Sequence, residues 1–276
     1  LTGSSTAANN TGYYNIAFGV NAGTNVTSGG YNIYFGRNAG CSTTDGHSNI
    51  AMGCHALSQN VSADFTVAIG AQAGQYIGGA GCNVFIGYGA AASSGTAADN
   101  DAGQNVAIGM YTANALTDGD QNTLLGYYAS AKITTGTGNV SVGAHAGCEI
   151  TTSGYNVFVG DSAGRNVQTS GYNVGLGYEA LKGSGTPADN TGENNIAIGY
   201  QAGHAFTTAA RSIFIGNRAG CAVTSGQFNL IMGCGTARTL TTGNCNIYIG
   251  KDSGPISATS TGSLNITMQR EAGEKL

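Results

Sequence analysis

Charge is scarce in this sequence: Asp, Glu, Lys and Arg make up only 9% of its 276 residues, where soluble proteins carry about 25%. The formal net charge is −4. No cluster of Lys or Arg supplies the positive field needed to hold nucleic acid or an anionic membrane surface, which sets both partners aside. Apolar runs never exceed strand length, so a membrane-spanning helix is excluded. The opening LTGSSTAANN has neither an initiator Met nor a secretory leader, and the chain reads as a fragment of a longer or processed one. Its tail, MQREAGEKL, differs in character from everything before it and reads as a cap or the start of another region.

Signatures of chemistry are missing too. There is no GxSxG elbow, no P-loop and no His-containing triad pattern. No C-x₂-C spacing occurs, and His47, His55, His145 and His204 are scattered, so no metal is expected. Without GGxGxD repeats, calcium is not expected to be needed for folding, and no cofactor is implied. Carboxylates group only as Asp99 with Asp101, Asp118 with Asp120, and Asp189 with Glu193. All lie in Gly/Ala/Asn-rich segments, where solvated turn residues explain them better than the paired acids of a glycosidase. An enzyme is not expected.

What is abundant is glycine, 47 residues, and it recurs with a period. Pentapeptides of the form N-Φ-x-Φ-G, with Φ apolar, begin at Asn15, Asn32, Asn49, Thr66, Asn83, Asn105, Asn122, Asn139, Asn156, Asn173, Asn195, Ser212, Asn229 and Asn246. The spacing is 17 residues except for two steps of 22, each carrying a similar insertion (SSGTAADNDAG and GSGTPADNTG). A 90-residue super-repeat therefore overlies the short one. It divides the chain into an N-terminal cap (1–14), super-repeats at 15–104, 105–194 and 195–254, and a C-terminal cap or new region (255–276).

Alternation of apolar positions 2 and 4, broken only by Thr123, predicts a strand with one buried face, and stacking would align the Ile and Val side chains in a common core. The invariant Gly fits a sharp corner that needs positive φ or close backbone approach. A single 17-residue unit cannot bury its own strand, whereas stacked units can. The fold class is therefore all-β, a parallel β-roll or β-solenoid of about fourteen rungs. At about 4.8 Å per rung, its length is expected to be roughly 65–70 Å. The opening Asn is expected to form a ladder, its amide bonded to the Asn residues above and below or to loop backbone.

Strings such as NIAFGVNAG, TVAIGAQAG, NVFIGYGAA and NIAIGYQAG resemble the YadA-like head repeats of trimeric autotransporter adhesins over roughly residues 13–254. Similar repeats occur in tail fibres of bacteriophages, marine and cyanobacterial ones among them. The resemblance implies a left-handed roll, a homotrimer and a place at the tip of an extracellular or virion-surface fibre. The rungs here are longer than the usual autotransporter repeat, and no heptad stalk or membrane anchor is visible. Chains exported through an oxidising periplasm usually avoid cysteine, whereas this one has seven. The expected role is thus a structural and adhesive segment of a phage tail or other viral fibre, with a bacterial surface adhesin or a self-assembling filament as alternatives. The expected partners are further copies of the chain and a host-surface glycan or protein.

Cys41, Cys148 and Cys221 share one phase of the rung, and Cys54 and Cys234 another. Cys41–Cys54 and Cys221–Cys234 could bridge adjacent rungs, although buried free thiols acting as small apolar fillers fit as well. Recognition is expected at the variable residues after the corner Gly: Arg37, Tyr88, Tyr111, Tyr127, Tyr128, Tyr178, Tyr200 and Arg218. Tyrosine offers large amphipathic contact area at low entropic cost, and packing between chains is the equal alternative. The insertions at 93–103 and 183–193 are expected to bulge as loops, giving a second candidate surface.

Overall fold

The computed structural model describes residues 11–79, 81–93, 95, 100–256 and 259–268. The chain forms two compact units, residues 1–139 and 140–276, each a parallel β-solenoid. In the first, strands β1 (Ile16–Phe18), β2 (Ile33–Phe35), β3 (Ile50–Met52), β4 (Val67–Ile69), β5 (Val84–Ile86), β6 (Val106–Ile108) and β7 (Thr123–Leu125) follow one another. The second contains β8 (Val140–Val142), β9 (Val157–Val159), β10 (Val174–Leu176), β11 (Ile196–Ile198), β12 (Ile213–Ile215), β13 (Leu230–Met232), β14 (Ile247–Ile249) and β15 (Ile266–Met268). Each strand pairs in parallel with the next in its unit at equivalent positions, as in Ile16 with Ile33 or Val174 with Ile196. Among the described residues no helix is long and apolar enough to cross a membrane.

Stacking is enforced by two columns. The opening Asn is buried in almost every rung. Its Oδ1 accepts the backbone N–H of the Asn one rung on, at 2.9 Å from Asn32 to Asn15 and from Asn122 to Asn105. Its Nδ2 donates to the carbonyl of position 15, as Asn32 does to Gly46 (2.8 Å) and Asn122 to Gly136 (2.9 Å). Ser212 preserves the ladder where Asn is replaced, its Oγ accepting the Asn229 N–H at 3.1 Å. The corner Gly forms the second column. Gly36 has φ 137°, and a Cβ there would lie 2.6 Å from the Gly53 carbonyl oxygen. Both reasons for glycine therefore apply at once, an unfavourable φ for L-residues and no room for a side chain.

The core is not where the alternation of Ile and Val places it. Positions 2 and 4 are half-exposed or exposed in every strand, and position 3, between them, is buried from β2 to β14, the terminal strands β1 and β15 being more open. The reason is the Asn ladder. Position 1 faces inward, side chains alternate along a strand, and so position 3 shares its interior while positions 2 and 4 must face out. The interior is built instead from position 3, from Ala22, Ala39, Ala56 and their equivalents at position 8, and from Ile77, Leu116, Ile133, Ile150, Val167, Phe206, Val223 and Leu240 at position 12.

Volume inside each rung is balanced between positions 3 and 9. Tyr34 is matched by Gly40, Phe158 by Gly164, Phe214 by Gly220 and Tyr248 by Gly254; a Cβ on Gly164 would lie 2.5 Å from the Phe158 ring. Where position 3 is Ala51 or Gly175, position 9 is Leu57 or Leu181, both fully buried. Rungs with two small residues borrow from their neighbours: Leu57 and Phe85 close over Gly74, and Leu181 and Phe214 over Gly203. Such complementary choices reach interior density with a narrow cross-section. Burying one of these aromatic rings contributes roughly 1.5–3 kcal/mol.

The second insertion leaves the rung as an exposed loop with a short 3₁₀ turn at Pro187–Asp189. Asn190 pins it, accepting from the Ser184 N–H (2.9 Å) and donating to the Asn166 carbonyl (3.0 Å). Asn100 is the super-repeat equivalent in the first insertion and donates to the Tyr76 carbonyl at 2.9 Å.

Candidate interaction surface

Because positions 2 and 4 face outward, each unit presents its aliphatic residues as two parallel columns on the sheet surface. Phe18 stacks on Phe35 with ring centroids 4.9 Å apart, and Met52, Ile69, Ile108, Val159, Ile196 and Ile198 are all exposed. No charged residue occupies either position in any of the fourteen rungs. An apolar surface that repeats with the period of the fold is not the scattered exposure normal for a soluble protein, and marks an interaction face.

Both margins of this face are aromatic. On the far side of the corner Gly lie the tyrosines expected from the sequence. Tyr88 meets Tyr111 edge-on at 5.2 Å, Tyr111 lies 5.1 Å from Tyr128, and Tyr127 packs against Tyr128 at 4.6 Å. In the second unit Tyr178 stacks on Tyr200 at 5.3 Å with planes 13° apart. Tyr88, Tyr127, Tyr178 and Tyr200 are exposed, whereas Tyr111 and Tyr128 are half-buried between them. Arg37 and Arg218 are exposed but belong to other contacts: Arg37 Nη2 donates to Cys54 Sγ (3.3 Å), and Arg218 Nε to Gln201 Oε1 (3.1 Å). The eight candidates thus resolve into two tyrosine clusters and two separate arginines.

A second aromatic margin was not expected. The residue before the opening Asn adopts left-handed φ throughout, and it is Tyr14, Tyr31, Phe65, Tyr155, Tyr172 or Phe228 in six rungs, all exposed. Tyr14 stacks on Tyr31 and Tyr155 on Tyr172, each pair at 5.3 Å, and the Arg211 guanidinium sits 5.6 Å over Phe228. The signal was present as the recurring Tyr-Asn dipeptide, with Phe65-Thr66 and Phe228-Asn229 in the same place. At its widest the face runs Tyr172, Val174, Leu176, Tyr178 across one rung.

Polar groups flanking the face serve structure. Glu179 receives Lys182 Nζ at 2.5 Å and Gln201 Nε2 at 2.7 Å, with His204 Nε2 at 3.4 Å. Burial works against the Glu179 charge, yet the Lys182 and Gln201 donors outweigh it and hold the carboxyl below its ordinary value. Burial likewise lowers the His204 pKa, overcoming the attraction of Glu179. Asp118 and Asp120 accept backbone amides from the preceding rung (Asp101 N–H, 3.2 Å; Gly103 N–H, 2.7 Å). Asp99 lies outside the described residues. Asp189 is an exposed residue of the second loop.

No disulfide joins Cys41 to Cys54 or Cys221 to Cys234. Cys41 Sγ donates instead to the Ser58 carbonyl at 3.3 Å, and burial raises the Cys221 pKa. Among the described residues no three His, Cys, Asp or Glu side chains form a metal-binding group. Comparison with family models, with curated proteins and with solved structures returned no match.

Proposed function

We propose that this chain is a structural and adhesive segment of a homotrimeric viral fibre, most closely of the phage-tail kind, that attaches to a host-surface glycan or protein. The observation that carries the reading is the outward aliphatic face. Apolar area in water costs about 25 cal/mol per Å², and a fold that repeats such area on every rung gains by covering it. A second copy in the same orientation and register offers the same period, so aliphatic rows meet aliphatic rows along the stack. Cyclic arrangement lets every copy cover this face alike, and the resemblance of the repeats to trimeric adhesin heads supports three copies. The exposed tyrosines of the margins then supply adhesive contacts, since aromatic residues are enriched where protein interfaces concentrate their binding energy.

Sedimentation under native conditions together with imaging tests the reading. The expected result is a species of three chains that adheres saturably to target cells. A stable monomer would remove the assembly, and filaments growing without any partner would favour a purely structural role over an adhesive one.

A further inference from the structure

A groove of about 610 Å³ runs along one margin of the first unit, across four successive rungs from Asp64 to Gln121. That volume lies within the roughly 300–1,000 Å³ of small-ligand clefts. It exists because positions 14 and 16 of one rung lack side chains: Gly79 and Gly81 line it, and the Asp101 carboxylate overhangs Gly79, 2.7 Å from where a Cβ would stand. Its walls carry the carboxylates of Asp64, Asp101 and Asp120, the amides of Gln104 and Gln121, and the exposed ring of Phe65.

Asp64, Asp120, Gln104 and Gln121 are held in place. Asp64 Oδ1 accepts the His47 N–H at 2.6 Å, Asp120 Oδ1 the Gly103 N–H at 2.7 Å, and Gln121 Nε2 donates to Gln104 Oε1 at 3.1 Å. Each anchored carboxylate has a second acceptor oxygen. The fold itself does not require them. Ninety residues on, at equivalent places in the super-repeat, Gly154, Thr191 and Ala210 replace Asp64, Asp101 and Asp120, while Thr169 and Glu193 replace Gly79 and Gly103. The second copy of this place thus lacks all three aspartates and gains Thr169 and Glu193 in the space the glycines leave, yet folds alike.

We infer that the groove binds a neutral, polyhydroxylated ligand, a stretch of uncharged oligosaccharide. Sugar hydroxyls donate to the carboxylate oxygens and accept from the amide nitrogens, and the apolar face of a pyranose ring packs on Phe65. No Lys or Arg lines the groove, so sialylated or sulfated chains meet only like charge. In assigning a glycan the inference rests on the adhesive reading, but it places the contact away from the tyrosine clusters.

The test is an array of neutral, sialylated and sulfated oligosaccharides probed with the full chain and two variants, with calcium alone titrated in parallel. Gly79→Thr and Asp101→Thr each install the residue that the other super-repeat carries at that place, and an unaltered circular dichroism spectrum is required of each variant before binding is read. Binding of a neutral glycan that weakens at least about tenfold in each variant is the expected result, about 1.4 kcal/mol. Four outcomes overturn the groove as a glycan site: no glycan bound, anionic glycans preferred, calcium bound without sugar, or neutral-glycan binding indifferent to both substitutions. If binding survives Gly79→Thr but is lost in Tyr178→Ala, the groove fails while the adhesive reading stands. If the unaltered chain adheres neither to sugars nor to cells, the adhesive reading fails as well.

Discussion

The two sides of a single strand follow opposite rules. Inward, position 3 ranges from Gly175 and Ala51 through Leu124 to Phe158 and Tyr34. Outward, positions 2 and 4 hold to Ile, Val, Leu, Met or Phe, with Thr123 alone departing. An interior closed within one chain can vary, because position 9 of the same rung or a neighbouring rung compensates for each change. An outer face has no such partner inside the chain. Its uniformity is what a surface shared with identical rungs of another copy would require, and the contrast makes three experiments decisive.

The largest effect is expected inside. Tyr34→Ala empties a fully buried site and should cost about 3–5 kcal/mol in denaturant unfolding. Gly40→Leu alone should overpack the same space and cost about 1–3 kcal/mol. Combined, they recreate the Ala51 and Leu57 arrangement of the next rung, and the double variant should be more stable than the sum of the two losses by about 1–3 kcal/mol. Strict additivity would show that compensation within a rung is not what sets the interior.

A smaller effect on the fold, with a large one on association, is expected outside. Ile213→Thr copies at position 2 the substitution that Thr123 makes naturally, and Ile215→Thr extends it to position 4. Each should change the stability of a single chain by about 1 kcal/mol or less, leave the circular dichroism spectrum unaltered, and shift the sedimenting species towards one chain. If the pair unfolds the protein, the outward face belongs to the fold.

The smallest effect concerns one oxygen. Burial pushes the Tyr34 phenol up to about 12, with Thr43 beside it partly offsetting the rise, yet neither hydroxyl has a partner in hydrogen-bond geometry. Phe occupies the same position in other rungs. Tyr34→Phe should therefore raise the melting temperature slightly, a gain of about 1 kcal/mol or less. A clear loss would mean the hydroxyl finds a partner.

Much of this architecture can be read from spacing alone. The rung length, the corner Gly and the Asn ladder all follow from residues seventeen apart. Which side of the strand is buried was equally present in the sequence. Asn15 and Ile16 are adjacent, so a ladder of buried Asn already sends Ile16 to the opposite face, and hydrophobicity alone points the wrong way. The rung opened by Asn265 escapes the pattern because it comes after 19 residues and has Gln269 where the others have Gly. The groove is harder still to read, since its walls come from four rungs and its shape depends on side chains that are missing.

The Asn ladder, finally, has a direction. Each amide oxygen accepts a backbone N–H that belongs to the next stretch of chain, so a stack interrupted at any rung ends in an acceptor with no donor from the chain. Every coil therefore presents an acceptor to the coil that follows it and a donor to the one before, so the ladder is polar along the stack and its two ends are chemically unlike.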